Sequence, residues 1–304
     1  TTPFVHLNVH TEYSLVDGIA RIEELAEAVR QAEMPAVAMT DVSNVYAAIK
    51  FYRACLKAGI KPLFGVHLEV GEKDSGMPAG QIGLLCRNNK SFQALSHLLT
   101  DLYTQPRSGH SLSVEPERLE DIGKDLIGLS GGVDGDIGRA LKAGHTREAT
   151  ELLRRYQGIF AGNFFIEMTR ANRPGEKEYE ARALEIASRE NAPLVATNAV
   201  RFISAGDFEA HEIRTCIHQG RVLDDPRRPR AFTAEQYMRT PEEMARAFSD
   251  LPSAVENTIE IARRCNVFID FHTTHMPQYQ AGNDGSTEDI LKAQAQKGLI
   301  DYQQ

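Results

Sequence analysis

Tryptophan is absent from these 304 residues, and cysteine occurs only at Cys55, Cys86, Cys216 and Cys265. The four are widely separated and form no Cys-x-x-Cys pair, which excludes thiolate zinc sites and a disulfide scaffold; they read as reduced, buried small hydrophobes. Long apolar runs are missing too, so no segment reads as a membrane-crossing helix. Positive charge is scarce: 34 Lys and Arg stand against 42 Asp and Glu, a net charge of −8. A chain whose main task is gripping phosphate backbones shows the reverse balance. Thr1-Thr2-Pro3 leads into the first strand without a signal-like stretch, and the expected location is the cytoplasm. What is present is 42% hydrophobic residues. At this length they suffice for one barrel-sized domain with an appendage.

Strand and helix patterns alternate. After Gly18, Ile22, Leu25, Ala26 and Val29 recur at helical spacing, and Pro35 to Thr40 reads as a short buried strand. Then come helix Ala47 to Leu56, strands Pro62 to Val70 and Gln81 to Cys86, and helix Ser91 to Tyr103. Strand Asp125 to Leu129, helices Asp136 to Lys142 and Thr146 to Gln157, strand Asn163 to Met168, helix Glu176 to Glu190 and strand Pro193 to Thr197 follow. This alternation predicts an α/β fold with a parallel sheet closed into a TIM-like barrel. An open doubly wound sheet is the alternative, disfavoured because no Gly-x-Gly-x-x-Gly follows the first strand.

The first strand carries the most information. In an extended Phe4 to His10, residues Phe4, His6, Asn8 and His10 share one face, and Val5, Leu7 and Val9 the other. A His-x-His ending would begin a Zn or Mn site, but Asn8 stands where the first imidazole is needed. The carboxyl ends of the strands, where barrels of this class do their chemistry, add Asp41, His67, Glu167 and Asn198, predicting a polar pocket on one rim.

The segment Phe4 to Gly18 together with Met39-Thr-Asp41-Val-Ser-Asn44, Gly59-Ile-Lys-Pro-Leu-Phe-Gly65, Leu194-Val-Ala-Thr-Asn198 and Asp207-Phe-Glu-Ala-His211-Glu-Ile-Arg214 resembles the polymerase and histidinol phosphatase (PHP) domain family. The form it resembles opens the alpha subunits of bacterial DNA polymerase III. Leu223 to Arg230, Gln236 to Arg239 and Asn257 to Asn266 point to the enterobacterial and pseudomonad type. The resemblance implies a distorted (β/α)7 PHP barrel over residues 1–270, then a linker and the start of the polymerase core over 271–304. It also implies a metal-ligand pattern. His10 and Asp17 match that pattern, and Asp41 matches in part. Departures are Asn8 and Val42 at His positions, His67 at a Glu position, Ala171 where a His follows Glu167, and Ala199 and Arg201 in place of Asp-x-His.

Val and Ala donate nothing to a cation, and a guanidinium repels it, so Arg201 is expected to pair with Asp41, Asp17 or Glu167. A residual single metal on His10, Asp17 and His67 is a compromise reading. The resemblance thus implies a module without catalytic residues or cofactor of its own, with Mg confined to the polymerase core beyond this sequence. Its expected role is to brace that core and dock the proofreading exonuclease epsilon, meeting DNA only through the full polymerase. The rival reading is a metal-dependent phosphoesterase or 3'-5' exonuclease. Arg227, Arg228 and Arg230 read as an exposed basic loop paired with Asp224 and Asp225, or as a phosphate contact. His211 and His218 read as ordinary helix residues, and His272 and His275 as linker. Pro277 to Gly285 reads as a connector before a helix starting at Ser286.

Overall fold

The computed structural model describes residues 3–71, 79–104, 112–274, 276 and 286–303; His275 and the Pro277 to Gly285 connector lie outside them. The described residues form seven strands: β1 (Ala36–Met39), β2 (Lys61–Val70), β3 (Gly80–Cys86), β4 (Ser113–Val114), β5 (Leu126–Leu129), β6 (Phe164–Thr169) and β7 (Leu194–Thr197). The helices are α1 (Ile22–Gln31), α2 (Ala48–Ala58), α3 (Asn89–Thr104), α4 (Glu117–Glu120), α5 (Asp136–Lys142), α6 (Thr146–Ile159), α7 (Glu176–Arg189), α8 (Phe208–Gln219), α9 (Pro241–Ala247), α10 (Pro252–Arg264) and α11 (Thr287–Gln303). The chain divides into one unit ending at Phe268 and a second running from Ile269 and containing α11.

Local chemistry sets these bounds. Ile22, Leu25, Ala26 and Val29 form the buried stripe of α1, as the 3.6-residue period requires. Helix α2 stops at Gly59, whose left-handed φ of 73° lets its N–H close the last turn. Helix α9 starts with a capping box between Thr240 and Glu243 and Pro241 in its first turn.

The sheet runs β1-β2-β3-β5-β6-β7, with β4 added beside β2. It is mixed, which corrects the parallel expectation: β3 is antiparallel to both β2 and β5, while the remaining pairs are parallel. The physical reason is the short link from Val70 to Gly80, which leaves no room for the crossover helix that a parallel return needs.

Residues 6–10 join the two edges of this curled sheet. On one side Ala38 N donates to His6 O at 2.9 Å and Thr40 N to Val9 O at 3.0 Å; on the other, His10 N donates to Val200 O and Val200 N to Asn8 O, both at 2.9 Å. Along the β1 side the acceptor advances three residues while the donor advances two. One extra residue is therefore inserted, a β-bulge. The expected regular first strand is absent for this reason, and strict alternation fails: Leu7 packs with the inward apolar residues while Asn8, its neighbour, reaches inward to Glu167.

The inward apolar layer consists of Val5, Leu7, Ala36, Ala38, Leu63, Leu85, Ile127, Leu129, Phe165 and Val195, closed off by Ile261, Ala262 and Cys265 at the end of α10. Each fully buried aliphatic chain contributes about 2 kcal/mol. This layer is the floor on which the polar site stands.

Candidate functional site

Continuing the alternation two residues past the floor puts Thr40 after Ala38, Glu167 after Phe165, and Thr197 after Val195, with His67 two steps beyond Leu63 and Gly65. All are buried. The bulge adds Asn8 and His10. Asn8 Nδ2 donates to Glu167 Oε1 at 2.6 Å, and Thr197 Oγ1 donates to the same oxygen at 2.6 Å. His10 Nδ1 lies 2.7 Å from Asp17 Oδ1 and its Nε2 lies 2.8 Å from His67 Nδ1, which also faces Thr40 O at 3.0 Å. Donation of the Nδ1 proton to Asp17 leaves His10 Nε2 as an acceptor for the N–H of His67.

Above them sits the turn of residues 11–18. Asp41 organises it, accepting from Thr11 N at 2.6 Å, Thr11 Oγ1 at 2.8 Å and Ser14 Oγ at 2.7 Å. Leu15 adopts a left-handed φ of 64° there. Gly18 passes so near the opposite limb that a Cβ on it would sit 2.1 Å from Thr11 O, so no other residue fits without movement.

Arg201 is the cation of the site. Its Nε donates to Asp17 Oδ2 at 2.9 Å and its Nη1 to Asn8 Oδ1 at 3.2 Å and Val200 O at 3.1 Å. Of the three expected partners, Asp17 is the one it takes. Burial, reinforced by Arg201, lowers His10 to about 3, and burial chiefly lowers His67. Burial works to raise Asp17, but the His10 ring and the Arg201 charge outweigh it and hold the carboxyl well below the carboxylate range. Burial pushes Asp41 up to about 6 against the hydrogen bonds from Ser14 and Thr11.

A divalent cluster does not fit this arrangement. It needs several anionic or imidazole lone pairs aimed at common points. Both oxygens of Asp17 and of Asp41, both nitrogens of His10 and Glu167 Oε1 are already engaged; of these three carboxylates, Glu167 alone keeps a buried oxygen, Oε2, without a partner. Among the described residues no group of three or more His, Cys, Asp or Glu is placed to hold one ion. The trio Asp17, His10 and His67 of the single-metal reading forms a line through the His10 ring instead of surrounding a point.

The remaining positions are dispersed. Val42 pairs with His67 through its backbone. Ala199 is buried with a left-handed φ of 44°, and Ala171 is buried with its carbonyl accepting from Thr233 Oγ1. Asn198 alternates away from Thr197 and donates to Glu235 O and Tyr237 O, so it ties a loop instead of lining the pocket. His211, read as an ordinary helix residue, is fully buried and its Nε2–H donates to Asp17 O at 2.8 Å. Its place in Asp207-Phe-Glu-Ala-His211 was the available signal. His218 and His272 are exposed. The basic loop is also corrected. Arg227 is exposed and pairs with Asp225, whereas Arg228 is buried against Glu212, since an apolar stem and one carboxylate suffice to draw a guanidinium inward. Among the described residues no helix is long and apolar enough to cross a membrane.

Residues 6–171 match the PHP domain. The chain is 42% identical over 299 residues to the DNA polymerase III subunit alpha of Pseudomonas aeruginosa, covering 98% of this chain and 26% of that protein. It is 41% identical over 296 residues to the subunit alpha of Escherichia coli K12, covering 97% and 25%. The chain thus spans about a quarter of the length of the curated relatives it matches. Among solved structures, an amidohydrolase from Chromobacterium violaceum gives a TM-score of 0.45 at 16% identity, covering 64% of this chain and 85% of that one. On the match over residues 6–171, more than half its length, the chain belongs to the PHP domain family.

Proposed function

We propose that this chain is the amino-terminal PHP domain of a bacterial DNA polymerase III alpha subunit, that it is not itself catalytic, and that it braces the polymerase core and docks the proofreading exonuclease epsilon. The observation that carries the non-catalytic part is Arg201, a buried guanidinium bonded to Asp17 and Asn8 among positions where metal-using relatives of the family need ligands. Nothing there can activate a water for hydrolysis in the way a bound divalent ion does. Polymerisation, its Mg and contact with DNA belong to the three quarters of the relatives' length that this chain does not span. The unit ending at Phe268 has its own core, which supports a domain able to fold and bind by itself.

The test is to titrate the 304-residue chain against purified epsilon by size-exclusion chromatography at micromolar concentration. Co-elution is expected. A folded chain that never co-elutes with epsilon would place the docking surface elsewhere in the subunit.

A further inference from the structure

A second cavity, of about 550 Å³, shares no residue with the strand-end pocket; it lies where the end of β2 and the start of β3 meet α5 and α6. Its size falls within the roughly 300–1,000 Å³ of small-molecule sites. The space exists because small residues stand where larger ones would fill it: Gly71 and Gly80 at the ends of the two strands, and Ala140 and Ala143 on and just past α5. Val70 and Leu152 supply apolar wall.

The walls are fixed without a ligand. Gly80 is pressed onto the first turn of α5, so that a Cβ there would sit 2.2 Å from Asp136 N, and Arg139 Nη1 donates to Ala79 O just before it. Asp136 accepts from the hydroxyl of Tyr156 on α6 and from Ile137 N at 2.7 Å, which ties α6 to the same corner. Walls already in place keep the ordering cost of binding low.

Charge decides what can enter. On the rim Glu148 pairs with His145 at 3.3 Å, Glu151 with Arg147 at 3.5 Å, and Arg155 with Glu117. Both oxygens of Asp136 are engaged. Arg139 differs: among the described residues one of its N–H groups goes to Ala79 O and no carboxylate is bonded to it. An entering anion would face the carboxylates of Asp136, Glu148 and Glu151, and an entering cation would face Arg139 and Arg155. Either charge would also lose its water beside apolar walls. A neutral acceptor avoids both costs and can take an N–H of the guanidinium, the stronger for being charge-assisted.

We infer that this cavity is a binding site for an uncharged small molecule with an apolar, ring-sized body and a carbonyl-type acceptor. The body packs on Val70, Ala140 and Leu152, and the acceptor bonds Arg139. The assignment is independent of the strand-end pocket and of the partner the domain docks.

The test is methyl NMR of the 304-residue chain titrated with three probes of one shape: acetonaphthone, naphthoate and naphthylmethylammonium. Acetonaphthone should bind saturably and move the methyl signals of Val70, Ala140, Ala143 and Leu152, and the two ions should bind at least about tenfold more weakly. Either ion binding as tightly as the ketone overturns the ligand class. Shifts that never saturate, or that fall on other methyls, overturn the site. Arg139→Met should weaken acetonaphthone about tenfold and leave naphthalene, which has no acceptor, unchanged; equal loss for both, or loss for neither, overturns the role of Arg139. Ala143→Phe, at an exposed position, should fill the mouth and abolish binding of both. Undiminished binding to that variant overturns the placement, and this arm decides alone if Arg139→Met does not fold.

Discussion

His10 Nε2 lies 2.8 Å from His67 Nδ1, with His10 1% and His67 3% exposed. Two imidazoles this close and this dry cannot both be protonated, and each is shifted toward the neutral form by burial. Burial and mutual repulsion therefore both disfavour a charge on this histidine pair.

Acid should destabilise the fold through such residues. Burial takes His6 from 6.5 to about 4 and His10 to about 3. For a lowered His the unfolded chain takes up the proton first, so the stabilisation is complete above pH 6.5 and is lost as pH falls toward 4. At pH 5 each costs about 2 kcal/mol. Asp41, raised to about 6, acts in the opposite sense and offsets about 1 kcal/mol. A net loss of about 2–3 kcal/mol between pH 7 and pH 5 is expected in urea titrations, and His6→Gln should flatten it. A flat profile in the parent would contradict the buried neutral histidines.

Gly18→Ala should be destructive out of proportion to its size. The added methyl meets backbone, Thr11 O at 2.1 Å and His10 O at 2.9 Å, which cannot swing aside as a side chain can. A loss of about 2–4 kcal/mol is expected from urea midpoints. A loss under about 0.5 kcal/mol, the range of an ordinary surface change, would show that the turn yields freely.

The chain should release no phosphate from phosphomonoesters and no nucleotides from single-stranded DNA, with or without Mn. The measurement is product release at saturating Mn. Hydrolysis that vanishes in His10→Ala would reveal a live site.

Metal binding should be recoverable. Asn8→His, Val42→His, His67→Glu, Ala199→Asp and Arg201→His together supply donors around His10, Asp17 and Asp41 and remove the guanidinium. Asp also suits the left-handed φ of 44° at position 199 better than Ala does. The melting temperature of this variant should rise on adding Zn or Mn while that of the parent stays put. If the well-folded variant melts identically with and without metal, the strand ends no longer stand within the ~0.2 Å that coordination tolerates.

Most element spans were legible because they rest on local periodicity: helix α5 begins at Asp136 and ends at Lys142, and β1, β2, β3, β5, β6 and β7 fall within a residue or two of their apolar runs, whereas the two-residue β4 is too short to leave a period and was not read. The direction of β3 was missed because alternation reads the same in either sense along a strand; the signal that carried it was the short link between Val70 and Gly80. The bulge at residues 7–9 was hidden for a related reason, since an extra residue shows only when the partner register is known. In the site, sequence identified Arg201 as a charge needing a carboxylate but could not choose among Asp17, Asp41 and Glu167, which lie at sequence separations of 184, 160 and 34. The burial of Arg228 against Glu212 and the contact of His211 with Asp17 O are likewise tertiary facts.

The way residues 6–10 bridge the sheet has a consequence for biosynthesis. Their partners on one side, Ala38 and Thr40, leave the ribosome soon after them, but Val200 follows about 190 residues later. At translation rates of about 5–20 residues per second the open edge waits on the order of 10–40 seconds for that partner. During this interval the nascent chain carries an unpaired strand edge, His10 without a completed pocket and Asp17 without its counter-charge. Ribosome-bound chains stalled before residue 200 should accordingly be the species that recruits chaperones, and those stalled well past it should not.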